Sequence, residues 1–377
     1  MTGPRPLRVG VISANWGMLA HLPAWQAIEG VSVEAVCTSR EETARAASAR
    51  FGIPKAYWSH EAMAADPDLD IIDVGTRPDL RHDMVLAALA HGKHVYASAA
   101  FAADIKAARD MRDAARAARR VVALDTTLSQ APAHRQAKAL IRNGFLGEAQ
   151  SVTTRLGISL FTGDAAMGSK WRWFAQAKHG ASAMRNLGTH SLHLLVDLLG
   201  PIDTVAAQAR IALPEWRFPD GSTLRPEVPD TAHLLLHFES GVIGTVALGW
   251  SSPALLGWRM ELSGTRGTIV TEANGAWFPA GPAVKLMTGA DGAALMECDV
   301  PQSLIDRPDL HFDESAVFPP QSLDIAGVML GFVTAIRENG QATPDFERAV
   351  HIEAVLEAAR RAATEGRQVS VAEVEDD

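Results

Sequence analysis

Leu7, Val9, Val11 and Ile12 make an apolar strand pattern that runs into a small-residue turn, Ser13-Ala14-Asn15, and then into a helix-like segment. Strand, tight turn and helix in immediate succession restrict the chain to a few layered architectures. The layout sets a helix N-terminus beside a strand end, where backbone amides meet phosphate oxygens. It is the opening of a βαβ unit of the kind that cradles a dinucleotide pyrophosphate. The glycines of such turns are replaced here: Ser13 and Asn15 hold two of the three slots and Met18 the third. Asparagine tolerates positive φ better than most residues, so Asn15 is read as keeping the turn. Ser13 offers a hydroxyl to phosphate, although its Cβ also crowds the site. Ser13, Ala14, Asn15 and Trp16 are the first candidate cofactor contacts.

The strand–helix alternation continues to about residue 126. Val31–Cys37 reads as a strand, Glu41–Phe51 as a helix closed by Gly52, and Ile71–Val74 as a buried strand. A Pro78 turn, a helix over Asp83–His91, a strand at His94–Tyr96, a helix over Asp104–Arg119 and a strand at Val121–Leu124 follow. This predicts a doubly wound parallel sheet over residues 1–126. Residues 127–377 differ in character. Helices over Ala133–Arg142 and Ala183–Leu199 precede a β-rich stretch from Ile202 to about Val300, with strands at Thr231–Phe238, Gly244–Trp250, Arg259–Leu262 and Thr268–Thr271. Strands without intervening helices predict a large, open, mainly antiparallel sheet. Helices at Leu323–Asn339 and Phe346–Thr364 close an α+β second domain. The fold class is therefore α/β, a Rossmann sheet followed by that domain.

Composition narrows the partners. A chain of 377 residues has room for two cores, and a net charge of −9 argues against a nucleic-acid binder, which needs a basic face. Only Cys37 and Cys298 are present, so neither a disulfide framework nor a cysteine-rich metal site is expected. With no run of 18 apolar residues and no apolar leader, the expectation is a cytoplasmic protein without a membrane partner.

Six segments in this order carry a family resemblance: Val9–Ile12 through His21-Leu-Pro-Ala24, Leu86–Val95, Ile141–Glu148, Asn186–His190, Ser263–Gly267 and Pro344–Arg348. Together they make the chain similar, over essentially its full length, to the Gfo/Idh/MocA family of NAD(P)-dependent sugar and polyol oxidoreductases. The resemblance implies a nicotinamide cofactor bound at the first turn, hydride transfer to or from a secondary alcohol or carbonyl, and a carbohydrate-like substrate. It also implies a homodimer or homotetramer, paired through the open face of the strands between Ile202 and Thr271.

NAD-preferring members of the family carry an acidic side chain at the end of the second strand. Here that strand ends Ala35-Val-Cys-Thr38-Ser39-Arg40. Hydroxyls and a guanidinium suit a 2′-phosphate, which a carboxylate would repel, so NADP is expected, with NAD as the alternative. Thr38 or Ser39 as a helix N-cap is the structural alternative. Thr76, Arg77 and Pro78 match the loop bordering the nicotinamide ribose, and Ser98 begins the segment beside the nicotinamide.

Most members place Glu-Lys-Pro after the strand that matches His94–Tyr96, the lysine assisting proton transfer. This chain has Ser98-Ala99-Ala100, and Ala99 carries no acid–base group. A galactose-repressor-like branch of the family also departs from the lysine and performs no chemical step. A nucleotide- or sugar-sensing regulator is therefore the second functional reading. The family's Asp-x-Gly-x-His-x-x-Asp appears as Asn186-Leu-Gly-Thr-His190-Ser-Leu-His193. At helical spacing Asn186, His190 and His193 share one face. Asn186 can orient a hydroxyl but not act as a base. His190 is the best remaining general acid/base candidate, imidazole titrating near neutrality; Tyr96 is a secondary one, with packing as a strand residue its structural alternative. A metal reading of His190 with His193 lacks further ligands, and packing in a helix seam is the structural alternative. Trp171, Arg172, Trp173, Arg185 and His193 are candidate substrate contacts, tryptophan faces suiting sugar C–H surfaces and arginine suiting hydroxyls or a carboxylate.

Overall fold

The computed structural model describes residues 5–13, 15–162, 167–276, 278–313 and 317–375. These fall into two compact units: the described residues of 1–102, 106–127 and 307–350, and those of 103–105, 128–306 and 351–377. No helix among the described residues is long and apolar enough to cross a membrane.

In the first unit six parallel strands, β1 (Leu7–Ile12), β2 (Val31–Cys37), β3 (Lys55–Tyr57), β4 (Ile71–Val74), β5 (His94–Ser98) and β6 (Val122–Asp125), lie in the order β3-β2-β1-β4-β5-β6. The order reverses between β1 and β4, the switch point at which open α/β sheets bind ligands beyond their C-terminal strand ends. β4 and β6 are buried at every residue, as parallel strands covered on both faces require. Helices α1 (Leu22–Gln26), α2 (Glu41–Phe51), α3 (His60–Ala64), α4 (Pro78–Ala90) and α5 (Ile105–Ala118) occur between the strands. Helix α2 ends on Gly52 at φ +66°, a left-handed C-cap that suits glycine. The buried flank of Gln321–Arg337 belongs to this unit, Met329, Phe332 and Val333 packing with Trp25 and Tyr96.

The second unit is built on a nine-stranded sheet. Its strands are β7 (Ala149–Gly157), β8 (Ile202–Arg210), β11 (Thr231–Phe238), β12 (Ile243–Gly249), β13 (Gly257–Gly264), β14 (Gly267–Ala273), β15 (Lys285–Ala290), β16 (Met296–Glu297) and β17 (Val369–Ser370). β9 (Trp216–Arg217) and β10 (Thr223–Leu224) form a separate hairpin. The order is β16-β15-β14-β13-β7-β12-β11-β8-β17, every pairing antiparallel except β7 with β12. Burial alternates along β11: Ala232, Leu234, Leu236 and Phe238 face inward, while His233, Leu235 and His237 are exposed. Helix α6 (Pro132–Arg142) and helix α7 (Ala183–Leu199) belong to this unit. Gly188 lets α7 lie close, since a Cβ there would come within 3.2 Å of Leu248 and Leu356.

Candidate active site

At the C-terminal end of β1 the Ser13 hydroxyl accepts the backbone amides of Asn15 and Gly17, each at 3.3 Å. These long, bent-back bonds occupy two donors that a phosphate would otherwise meet. Ala14 lies outside the described residues. Trp16 caps a single π-turn over Gly17–His21 and packs, half-buried, on the unit's core. Gly17 was not singled out by the sequence reading, yet a Cβ there would sit 2.6 Å from the Ser13 Cβ. It therefore performs the close helix-to-strand approach expected of the third glycine, one position before Met18. Gly75, after β4, presses on the same spot, 3.1 Å from the Ser13 Cβ by the same measure.

The end of β2 is open. Ser39 and Arg40 are exposed, and the Thr38 hydroxyl donates to the Arg40 carbonyl at 3.0 Å while meeting the Thr43 hydroxyl at 2.6 Å. Arg40 holds the N-cap position of α2 and makes no capping bond with its side chain, so neither Thr38 nor Ser39 is the cap. No carboxylate ends the strand. Beyond β4, Arg77 caps α4 and pairs with Asp79 at 3.3 Å, Pro78 takes the first helical position, and the Thr76 hydroxyl reaches the Met84 sulfur. Ser98 closes β5 and Thr127 follows β6. Both hydroxyl oxygens are buried without a partner among the described residues. Two orphaned hydroxyls at adjacent strand ends fit a polar group supplied by a ligand.

Beneath this edge lies a buried charge network. The His21 ring is fully enclosed, its Nδ1 2.9 Å from Asp73 Oδ2 and its Nε2 3.2 Å from Asp125 Oδ2. The Trp25 indole donates to Asp73 at 2.7 Å and the Tyr96 hydroxyl to Asp125 at 3.3 Å. A neutral imidazole carries one N–H, so a carboxylate at each nitrogen requires the imidazolium. Burial alone pushes this ring's pKa down. The Asp73 charge and the bonds to Asp125 and Asp73 outweigh it and raise the pKa from 6.5 to about 10. In the sequence His21 stands only within a motif and Tyr96 is a secondary acid–base candidate or a packed strand residue; the structure encloses both in this network. The acids come from strands far along the chain, which spacing does not reveal.

In the second unit, the Ser182 hydroxyl caps α7 by accepting the Arg185 amide at 3.1 Å, and the Asn186 side-chain oxygen accepts the Ser182 amide at 3.1 Å. Asn186 thus spends its carbonyl on the helix end and keeps its amide group for orientation. His190 is half-buried, its ring edge-on to Phe278 at 5.0 Å, while His193 is buried one turn further on. Arg185 is held by the buried carboxylate of Glu353. Arg172 donates to the Ser222 hydroxyl at 3.1 Å and the Thr223 carbonyl at 3.2 Å, clamping the β9–β10 hairpin. Trp171 and Trp173 are half-buried, Trp173 stacked on Phe174 at 4.1 Å. Of these side chains, Trp171, Trp173 and His190 keep partly exposed ring surface. Elsewhere in the unit His134 is enclosed between the Leu128 carbonyl and the Thr271 hydroxyl, and burial lowers its pKa to about 4. It is a neutral packing residue.

Comparison with known proteins decides the lineage. Residues 7–126 match the oxidoreductase family with an NAD-binding Rossmann fold, and residues 134–270 match the GFO/IDH/MocA C-terminal domain. The chain belongs to the Gfo/Idh/MocA oxidoreductase family. Within that family, it is 23% identical to an uncharacterized oxidoreductase of Synechocystis sp., across 100% of this chain and 99% of the relative. It is 30% identical to a dTDP-3,4-didehydro-2,6-dideoxy-alpha-D-glucose 3-reductase of Streptomyces antibioticus, across 66% and 70%. Among solved structures, levoglucosan dehydrogenase in complex with NADH and L-sorbose superposes with a TM-score of 0.84 at 21% identity, covering 98% and 99% of the two chains. At that identity the likeness is one of fold.

Proposed function

We propose that this family member is an NADP(H)-dependent oxidoreductase interconverting a secondary alcohol and a carbonyl on a sugar, glycoside or related polyol. The observation that carries the coenzyme preference is the end of β2, where exposed Ser39 and Arg40 follow Thr38 and no carboxylate closes the strand. The names of the relatives support the substrate class.

The residues present fit a dinucleotide. The amides of Asn15 and Gly17, which the Ser13 hydroxyl now accepts, would hold its pyrophosphate, and Gly17 and Gly75 keep the turn thin. Trp16 continues that wall. Thr38, Ser39 and Arg40 would hold the 2′-phosphate, Thr76, Arg77 and Pro78 would border the second ribose, and Ser98 and Thr127 would offer hydroxyls. When bound, the nicotinamide accepts or supplies a hydride at C4. His190 takes the hydroxyl proton as the alcohol carbon loses its hydride and returns that proton in reduction. Asn186 orients the hydroxyl, and Trp171 and Trp173 present apolar ring faces to the sugar. Arg172 holds the β9–β10 hairpin, Arg185 pairs with the buried Glu353 carboxylate, and His193 lies buried one turn beyond His190.

NADPH binding followed by quenching of tryptophan emission tests the reading. The expected result is binding about tenfold or more tighter than NADH, inverted by Arg40→Asp, since a charge-assisted contact replaced by repulsion exceeds 1.4 kcal/mol. Equal affinity for the two coenzymes would refute the preference. Ala99 favours one second reading, a sensor that binds nucleotide or sugar without turnover. Tight NADPH binding with no activity on a panel of keto-sugars would decide for it.

A homodimer or homotetramer through the outer face of the nine-stranded sheet is part of the proposal. Leu235 and Ile243 are 55% and 53% exposed there, beside Arg155, Arg259, Glu261 and Glu272, which mix both charge signs on one flat face. Light scattering after gel filtration is expected to give at least twice the 40.3 kDa chain mass. Leu235→Glu with Ile243→Glu is expected to reduce it to one chain. A wild-type monomer at all concentrations would remove the proposal.

A further inference from the structure

Arg81 is one of the largest fully buried side chains of the first unit, 1% exposed, and lies in the first turns of α4. An ion taken wholly out of water costs several kcal/mol unless well compensated. A cation near a helix N-terminus also opposes the helix dipole. Neither burial nor propensity explains an arginine here. Its bonds do. One terminal nitrogen donates to the carbonyls of Ala100 and Phe101, the latter at 2.8 Å, and the other donates to the carbonyl of Thr76.

Those carbonyls belong to different loops. Thr76 follows β4, and Ala100 and Phe101 follow β5, its parallel neighbour, so both loops leave the same edge of the sheet. A helical side chain leans back toward its own N-terminus, which brings the guanidinium between them. The planar fork spans both loops at once; an ammonium is a point charge and does not. The held Ala100 ends Ser98-Ala99-Ala100, the segment that lacks the lysine and begins with the orphaned Ser98 hydroxyl.

We propose that Arg81 is a positioning residue for hydride transfer, its guanidinium tying the loop after β4 to the loop after β5 and so setting the walls between which the nicotinamide half of the coenzyme lies. The inference rests on the coenzyme reading above. Displacing a wall by about 1 Å lowers the rate of a geometry-dependent step by as much as 10²-fold while leaving distant binding contacts in place.

The test compares wild type with Arg81→Lys and Arg81→Gln, using NADPH as the probe. The expected result for Arg81→Lys is a kcat lowered at least about tenfold, with KM for the carbonyl substrate and Kd for NADPH changed less than about threefold. A shifted emission maximum of the bound reduced coenzyme is expected alongside, and this readout requires no turnover. Unchanged emission and kcat, with only the melting temperature lowered, would show a packing role and overturn the inference. Failure of both variants to fold would overturn it too, because the residue would then be holding the fold. Absence of NADPH binding by wild type would remove this inference together with the coenzyme reading. Binding by wild type with no difference in either variant removes this inference alone.

Discussion

Replacing His21 by leucine is expected to destabilise the protein by about 3–5 kcal/mol, the cost of breaking a buried ion pair from one side. The imidazolium is enclosed between Asp73 and Asp125, and its removal leaves two carboxylates facing each other in a space without water. Trp25 and Tyr96 each supply one neutral donor, which softens the loss without neutralising either charge. Thermal unfolding followed by circular dichroism should show a midpoint lower by on the order of 10 °C. Adding Asp73→Asn to His21→Leu is expected to recover part of it, because one orphaned charge is then removed. An unchanged midpoint in His21→Leu would mean that the network carries no net stability. The same group predicts a pH dependence. Its folded pKa, about 10, lies above the 6.5 of a free imidazole, so the folded state binds the extra proton throughout that interval. Stability from His21 is fully present below about pH 6.5 and is lost as pH rises through 10. The gap in midpoint between wild type and His21→Leu should therefore narrow across that range, and a gap that widens would contradict the charge assignment.

His190→Ala is expected to lower kcat by about 10²–10⁴-fold, the usual contribution of a positioned acid–base group. The ring is half-buried on α7, edge-on to Phe278, so alanine leaves a gap at a partly exposed place and the fold should survive. NADPH affinity should stay within about threefold, since proton transfer and coenzyme capture rest on different residues. A kcat unchanged by His190→Ala would send the search for the acid–base group elsewhere. Ala99→Lys is the reciprocal arm: it returns an ammonium to the position where most of the family has one. Turnover is expected to rise by on the order of 10²-fold if proton transfer limits the rate.

Much of the architecture could be read from residue order because its elements are locally self-consistent. Glu41–Phe51, Ile71–Val74, Ala183–Leu199 and Thr231–Phe238 form between the expected residues, since capping, apolar continuity or strict alternation marks each one. Strand β7 was not legible. Its Gln-Ser-Val-Thr-Thr-Arg run looks like a solvated connection, and only pairing on both sides makes it central. The return of Gln321–Arg337 to pack beside Trp25 is likewise a tertiary fact with no local sign. In the candidate site, the absent acid at the end of β2 and the helical face of Asn186, His190 and His193 were visible as spacing. Gly17 was hidden because it stands one residue before the fingerprint slot that Met18 fills. Arg81 and the Asp73–His21–Asp125 cluster were hidden because their meaning lies in partners brought together by β4, β5 and β6.

The parallel pairing of β7 with β12, alone of its kind in the larger sheet among the described residues, has a consequence for how the chain is made. Thr153 of β7 and Thr245 of β12 are 92 residues apart, and β13, its other neighbour, comes later still. At about 5–20 residues per second a translating ribosome delivers β7 roughly 5–20 s before either flank can be covered. Through that interval a nascent strand with two open edges is a template for any other extended chain nearby. Exposure of an unpaired central strand during synthesis is thus a hazard written into the strand order, independent of how stable the finished protein is.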